Sequence, residues 1–180
     1  MKKIKKLMAT ALALLFLLSA FTMFASASRP ANVQSWWLVG RNGNLTWSGS
    51  TRYQSYFDFA VTAWNNHRNV IRRTTLFTST DVIIADDTIP NGSWVGITIE
   101  RAFAGNGGIN VGRIWFNEWW LFKTPQAGRR MVAMHELGHA LGVCHIPGSN
   151  IMQDRVPVPA PTALSANDRA AANRAWNYHR

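Results

Sequence analysis

Apolar side chains recur at intervals of three and four at Tyr53, Phe57, Ala60, Val61 and Trp64, which predicts an amphipathic helix over residues 52–67. Ahead of it Leu45-Thr46-Trp47 reads as a short strand, and Ser48-Gly49-Ser50-Thr51 as turn and helix-start chemistry. Two β-rich runs follow, Asp81-Val82-Ile83-Ile84-Ala85 and Trp94-Val95-Gly96-Ile97-Thr98-Ile99, separated by a Pro90-Asn91-Gly92 turn. Gly105-Asn106-Gly107-Gly108 then leads into a strand through Arg113-Ile114-Trp115-Phe116. Thr124-Pro125 supplies an N-cap and first-turn pair for a helix running to about Leu141. Pro157, Pro159 and Pro161 keep the next stretch extended, and Ser165-Ala166-Asn167-Asp168 opens a last helix with a capping-box-like pattern. This order predicts a small α/β domain around a twisted mixed sheet, without repeats or long linkers between Ser28 and Arg180.

The N-terminus has a different character. Lys2, Lys3, Lys5 and Lys6 precede an apolar run from about Leu7 to Phe24, and Ala25-Ser26-Ala27 fits a small-x-small cleavage site. Residues 1–27 are therefore expected to be a signal peptide of short, lysine-rich bacterial type, and residues 28–180 a secreted domain. A retained anchor is the competing reading, but the run is near the lower limit for a span and is interrupted by Ser19 and Thr22. Cleavage removes four lysines and no acids, lowering the formal charge from +10 to +6. The remaining basic residues form no long run, which favours solubility over a nucleic-acid surface. Cys144 is the single cysteine, so no internal disulfide can form, and it reads as a small buried filler. The nine tryptophans are core fillers by default, Trp119-Trp120 being the pair to inspect for exposure.

Chemistry concentrates in His135-Glu136-Leu137-Gly138-His139-Ala140-Leu141-Gly142-Val143-Cys144-His145. Residues four apart on a helix are offset by about 40° and about 6 Å, so His135 and His139 can grip one ion. Glu136, about 100° further round, sits beside that ion as a general base. Gly142 suits a helix end that reverses the chain, bringing in His145 as third ligand. Three neutral imidazoles leave one corner of a tetrahedral zinc open to water, the layout for amide hydrolysis. Cys144 could close that corner as a structural fourth ligand, although neighbours in a non-helical stretch tend to point apart. His67 and His179 read as surface or helix-end residues.

With its glycine, third histidine and Met152 in Ser149-Asn150-Ile151-Met152, this stretch resembles the metzincin metallopeptidases, and within them the matrixin branch. The resemblance extends in element order over most of residues 28–180, through Leu45-Thr46-Trp47, Asp81-Val82-Ile83-Ile84, Gly112 to Asn117 and Leu164-Ser165-x-x-Asp168. It implies a zincin-like α+β domain with a five-stranded mixed sheet, two long helices and a C-terminal helix. It also implies one catalytic zinc on His135, His139 and His145, and Met152 as an apolar floor beneath them. An extended substrate would pair with an edge strand, placed by position near Arg101 to Gly107. This chain departs from the family in having no histidine between His67 and His135, against a second zinc. Calcium is unsupported: Asp86 and Asp87 could serve it, but two solvated acids in a turn are the plainer reading. Gln153-Asp154-Arg155-Val156-Pro157 lacks the proline and aromatic with which family members wall the pocket for the residue after the scissile bond.

The expected activity is that of a secreted, monomeric zinc endopeptidase acting on protein or peptide, without nucleic acid or stable membrane association. A cationic cell-wall-binding protein braced by structural zinc would bind walls after chelation. A zinc amidase acting on peptidoglycan peptides would use the same chemistry on another amide.

Overall fold

In a computed structural model, the described residues, 29–76, 79–99, 111–148 and 151–180, form a mixed α/β fold of five strands and four helices. The segment expected to be an export signal, the edge expected near Arg101 to Gly107, and Ser149-Asn150 all lie outside them. In chain order the elements are β1 (Leu45–Gly49), α1 (Gln54–His67), β2 (Ile71–Arg73), β3 (Val82–Asp87), β4 (Gly96–Ile99), β5 (Gly112–Asn117), α2 (Glu118–Leu121), α3 (Gln126–Ala140) and α4 (Ala166–His179). None of the helices among the described residues is long and apolar enough to cross a membrane.

The sheet order is β2-β1-β3-β5-β4, with β4 antiparallel to β5 and every other pair parallel. Strand side chains alternate between faces, and Trp47 and Phe116 meet Phe57 of α1 edge-on, at centroid distances of 5.0 and 6.3 Å. Gly96 is paired with Phe116, so its α-carbon faces the same side, where Glu136 and Val132 of α3 approach it. Helices α1 and α3 therefore lie on one face and bury Trp47, Ile84, Ile114 and Phe116 beneath them. Between the helices, the Trp64 indole N–H donates to the Met134 carbonyl at 2.9 Å.

Local chemistry departs from expectation in several places. The entry to α1 is organised by Asp86, whose carboxylate accepts from the Thr51 hydroxyl and the Arg52 amide. Asp86 and Asp87 thus belong to strand β3, and Asp86 works as a capping acceptor. Thr124 does not cap α3: Pro125 occupies that position, while the Thr124 hydroxyl donates back to the Trp120 carbonyl. That carbonyl belongs to the short helix α2, which ends just before Thr124. Asn117 is fully buried; its Oδ1 receives the Ile89 and Trp119 amides and its Nδ2 reaches the Ile89 and Trp94 carbonyls, fixing the β3–β4 loop and capping α2. Ser165 and Asp168 form the anticipated capping box of α4.

Gly49 is the last residue of β1 rather than part of a turn, with φ of +96°, and a Cβ there would lie 2.3 Å from the Ile84 carbonyl oxygen. Because the obstacle is backbone, Gly49→Ala is expected to cost at least about 2 kcal/mol. Urea denaturation measures it, and an unchanged midpoint contradicts the close approach of β1 and β3.

Candidate metal centre

Helix α3 presents its apolar residues Met131, Met134 and Leu137 to the core and turns His135 and His139 outward, one helical turn apart. The helix then stops. The Val143 amide reaches back to the Gly138 carbonyl and the Gly142 amide to the His139 carbonyl, with Gly142 at φ +85°. This paired closure with a left-handed glycine is the Schellman arrangement. An N-terminal strap reinforces it, with Gln34 and Leu38 amides donating to the Gly142 and Ala140 carbonyls and Val33 bridging to Val143. The reversed chain brings His145 back beside α3.

His135, His139 and His145 are close enough to bind a metal ion, each offering one nitrogen within 4.8 Å of the others. The Nε2 atoms of His135 and His139 are 3.0 Å apart, and those of His135 and His145 3.2 Å apart. Nitrogens held at zinc–nitrogen distances around a tetrahedral ion would be separated by about 3.3 Å, so the set is compatible with zinc. Each opposite ring nitrogen meets an oxygen: Nδ1 of His135 the Ile151 carbonyl at 2.9 Å, Nδ1 of His139 the Val143 carbonyl at 2.7 Å, and Nδ1 of His145 an Asp154 carboxylate oxygen at 2.8 Å. Carbonyls and a carboxylate only accept, so the neutral rings carry their protons on Nδ1 and turn bare Nε2 lone pairs toward one another. Cys144 is not in this donor set; it is half-exposed on the cleft wall rather than a buried filler, and partial burial raises its thiol pKa.

Glu136 is buried beside the triad, and desolvation raises its pKa to about 7 against the opposing hydrogen bond from Thr98. The Thr98 hydroxyl lies 2.8 Å from both the Glu136 side-chain oxygen Oε2 and the Glu136 carbonyl. Strand β4 can approach this closely because Gly96 has no side chain: a Cβ would stand 2.8 Å from Glu136 Cγ. Neither Thr98, Gly96 nor Asp154 stood out in the sequence. A strand of alternating residues beside a glycine signals close approach in retrospect, whereas the partner of a strand threonine has no local signature. The remaining open side of the triad faces a cleft of about 490 Å³ that Glu136, Thr98 and Trp36 also line.

Met152 is fully buried, and its sulfur would be 2.4 Å from a Cβ at Gly138, so the thioether packs on the helix backbone between His135 and His139. Buried Asp168 holds this loop by accepting the Ile151 and Met152 amides, each at 3.3 Å. His67 and His179 end their helices and are not members of the triad; His179 stacks on Trp37 at 4.9 Å. No family model and no curated protein matches the chain.

Asp154 restrains His145, the exposed member of the three imidazoles. Asp154→Asn is expected to weaken zinc binding about 10- to 100-fold, measured by competition with a chromogenic chelator; unchanged affinity removes Asp154 from the centre. In the metal-free protein, burial lowers the pKa of His135 to about 4, and burial, with the neighbouring His135, that of His139 to about 3. Below pH of about 6.5 the unfolded chain takes up two imidazole protons that the fold refuses, and above about 4.3 it releases one that buried Glu136 retains. Unfolding between these values takes up about one net proton from these three groups, so stability falls as pH falls. Denaturation across this window checks the slope. Glu136→Gln should steepen it to about two protons, and a flat profile contradicts the burial of the two imidazoles.

Proposed function

We propose that the protein is a secreted, monomeric zinc-dependent endopeptidase of metzincin, matrixin-like type, acting on protein or peptide outside the cell. The observation that carries this reading is the convergence of three bare Nε2 atoms on one point, with a buried carboxylate alongside and a cleft on the open side. The packing of Met152 under α3, the Schellman turn at Gly142 and the mixed five-stranded sheet support the family likeness.

His135, His139 and His145 would hold the ion. A zinc bound there supplies Lewis-acid polarisation of the scissile carbonyl and acidifies water. Glu136, with a pKa near neutrality, takes the proton of the attacking water and delivers it to the departing amine nitrogen as the C–N bond breaks. Thr98 orients the carboxylate through its hydroxyl. Substrate register comes from β4. The Val95 carbonyl accepts the Asn117 amide, so alternation turns the backbone groups of Gly96 and Thr98 toward the outer edge, where an extended peptide can pair.

A second reading, attachment to cell-wall glycan, is favoured by Trp119 and Trp120, each about a third exposed at 36% and 37%, beside Phe122 at 77%. Trp119→Ala with Trp120→Ala would abolish wall binding on that reading and leave peptide cleavage unchanged on the first. Amide bonds of peptidoglycan remain substrates for the same chemistry, and a panel containing both amides separates the two.

Glu136→Gln is expected to retain one zinc per chain and lose at least about 100-fold in peptide hydrolysis. Metal analysis alongside a fluorogenic peptide assay measures both quantities. Full activity in the zinc-loaded variant overturns the base assignment.

A further inference from the structure

The fold gathers positive charge into one region. Residues 29–49, 59–80 and 169–180 contain eight arginines and no aspartate or glutamate. Tertiary contacts join these three segments: β1 pairs with β2 over Leu45 to Trp47, the Arg68 guanidinium donates to Asn173 Oδ1 at 3.1 Å, and Trp37 meets Trp176 edge-on at 5.4 Å. Among them lies a cavity of about 500 Å³ whose lining includes Trp37, Val39, Gly40, Arg41, His179 and Arg180. We propose that this cavity binds the phosphate groups of a linear polymer that carries no bases, with the surrounding arginines extending the contact along it.

Arg41 projects from the tight turn 40–44, closed by the Gly40 and Gly43 amides. Arg180 follows the end of α4, its guanidinium carbon 5.1 Å from the Trp176 ring centroid. Neither has an acidic partner among the described residues. Asp81, the carboxylate beside Gly40, is held by the Thr46 amide and hydroxyl at 2.8 and 2.6 Å. Burial lowers the pKa of His179, so at neutral pH the charge of the cavity comes from its arginines, and a concave surface of one sign concentrates counter-ions.

Guanidinium rather than ammonium carries this charge, since Lys123 is the sole lysine after Lys6. A guanidinium meets a pair of phosphate oxygens with two parallel hydrogen bonds. Two such groups from separate elements suit a tetrahedral phosphate, whose oxygens point in several directions, better than a planar carboxylate. Aromatic faces here are engaged within the fold: Trp37 stacks on His179 at 4.9 Å, and the Arg68 and Arg180 guanidiniums lie over Trp176. Single-stranded nucleic acid is held by stacking its bases on such faces, so their engagement favours a polymer of phosphates alone. The polymer would lie next to the cleft, because Gln34 and Trp36 line the cleft while Trp37 and Val39 of the same strap line this cavity.

Fluorescence anisotropy with labelled poly(glycerol phosphate) and the zinc-loaded protein measures the affinity at about 0.15 M salt. Binding is expected. Arg41→Ala with Arg180→Ala should weaken it at least about tenfold and lower its salt slope by about two. Arg113→Ala with Arg130→Ala removes the same charge from β5 and α3 and should change the affinity less than about twofold. In the unsubstituted protein the polymer should shift the backbone amide NMR signals of Gly40, Arg41 and Gly43 and leave that of Arg113 in place. Absence of binding at this salt, an equal loss in the Arg113 and Arg130 pair, or amide shifts confined to other residues overturns the site. Polyglutamate of equal charge bound as tightly overturns the phosphate preference. A single-stranded oligonucleotide of equal charge bound more tightly assigns the region to nucleic acid and overturns the proposal. Every readout is made without peptide cleavage, so failure of the peptidase reading leaves the site standing.

Discussion

Three lone pairs aimed at one another are the constraint around which this molecule is arranged. A neutral imidazole has a single N–H, and in each of the three rings it is committed to an oxygen behind the ring. The inward nitrogens, 3.0 and 3.2 Å apart in the two close pairs, have no proton left to share. Such an array is repulsive until a cation occupies its centre. Ring orientation is therefore set by the acceptors, and on the proposed reading metal affinity with it: the Val143 carbonyl delivered by the helix stop, the Ile151 carbonyl held by Asp168 through the neighbouring amides, and the Asp154 carboxylate.

Close packing around α3 makes those positions reproducible. Gly138 lets Met152 and Trp64 reach the helix backbone, Gly142 permits the reversal, and Gly96 lets β4 lie against Glu136. Each glycine removes a side chain at the point where a second element must come near. The result is a largely buried carboxyl group at the edge of the cleft, its pKa raised toward neutrality by desolvation and its side chain held by one threonine hydroxyl. On the proposed reading, the same strand that seats this threonine also turns backbone groups toward a substrate, joining recognition and proton transfer on one element.

Much of this was legible in the chain because the relevant signals are local. The three-and-four spacing of Tyr53, Phe57, Ala60 and Trp64 gave α1 to within two residues, and Ser165 with Asp168 gave the start of α4. His135, His139 and His145 converge because helix geometry and a left-handed glycine govern their spacing. What escaped depends on tertiary partners. Strand β2 has three residues, two of them arginines, and is a strand only because Leu45 to Trp47 lie beside it. Helix α2 occupies a single turn between β5 and α3 and is organised by Asn117, whose four hydrogen bonds cross three segments. The role of Asp86 at the entry to α1 spans thirty-odd positions of sequence, which no window of neighbours reveals.

X-ray absorption at the zinc edge of the metal-loaded protein tests the centre most directly, because it separates sulfur from nitrogen or oxygen donors and recognises imidazole by its outer-shell scattering. Zinc held by His135, His139 and His145 gives four nitrogen or oxygen donors at about 2.0–2.1 Å, no sulfur, and the outer-shell scattering of three imidazoles. A sulfur shell at about 2.3 Å from Cys144, or four protein ligands with no exchangeable position, would contradict it.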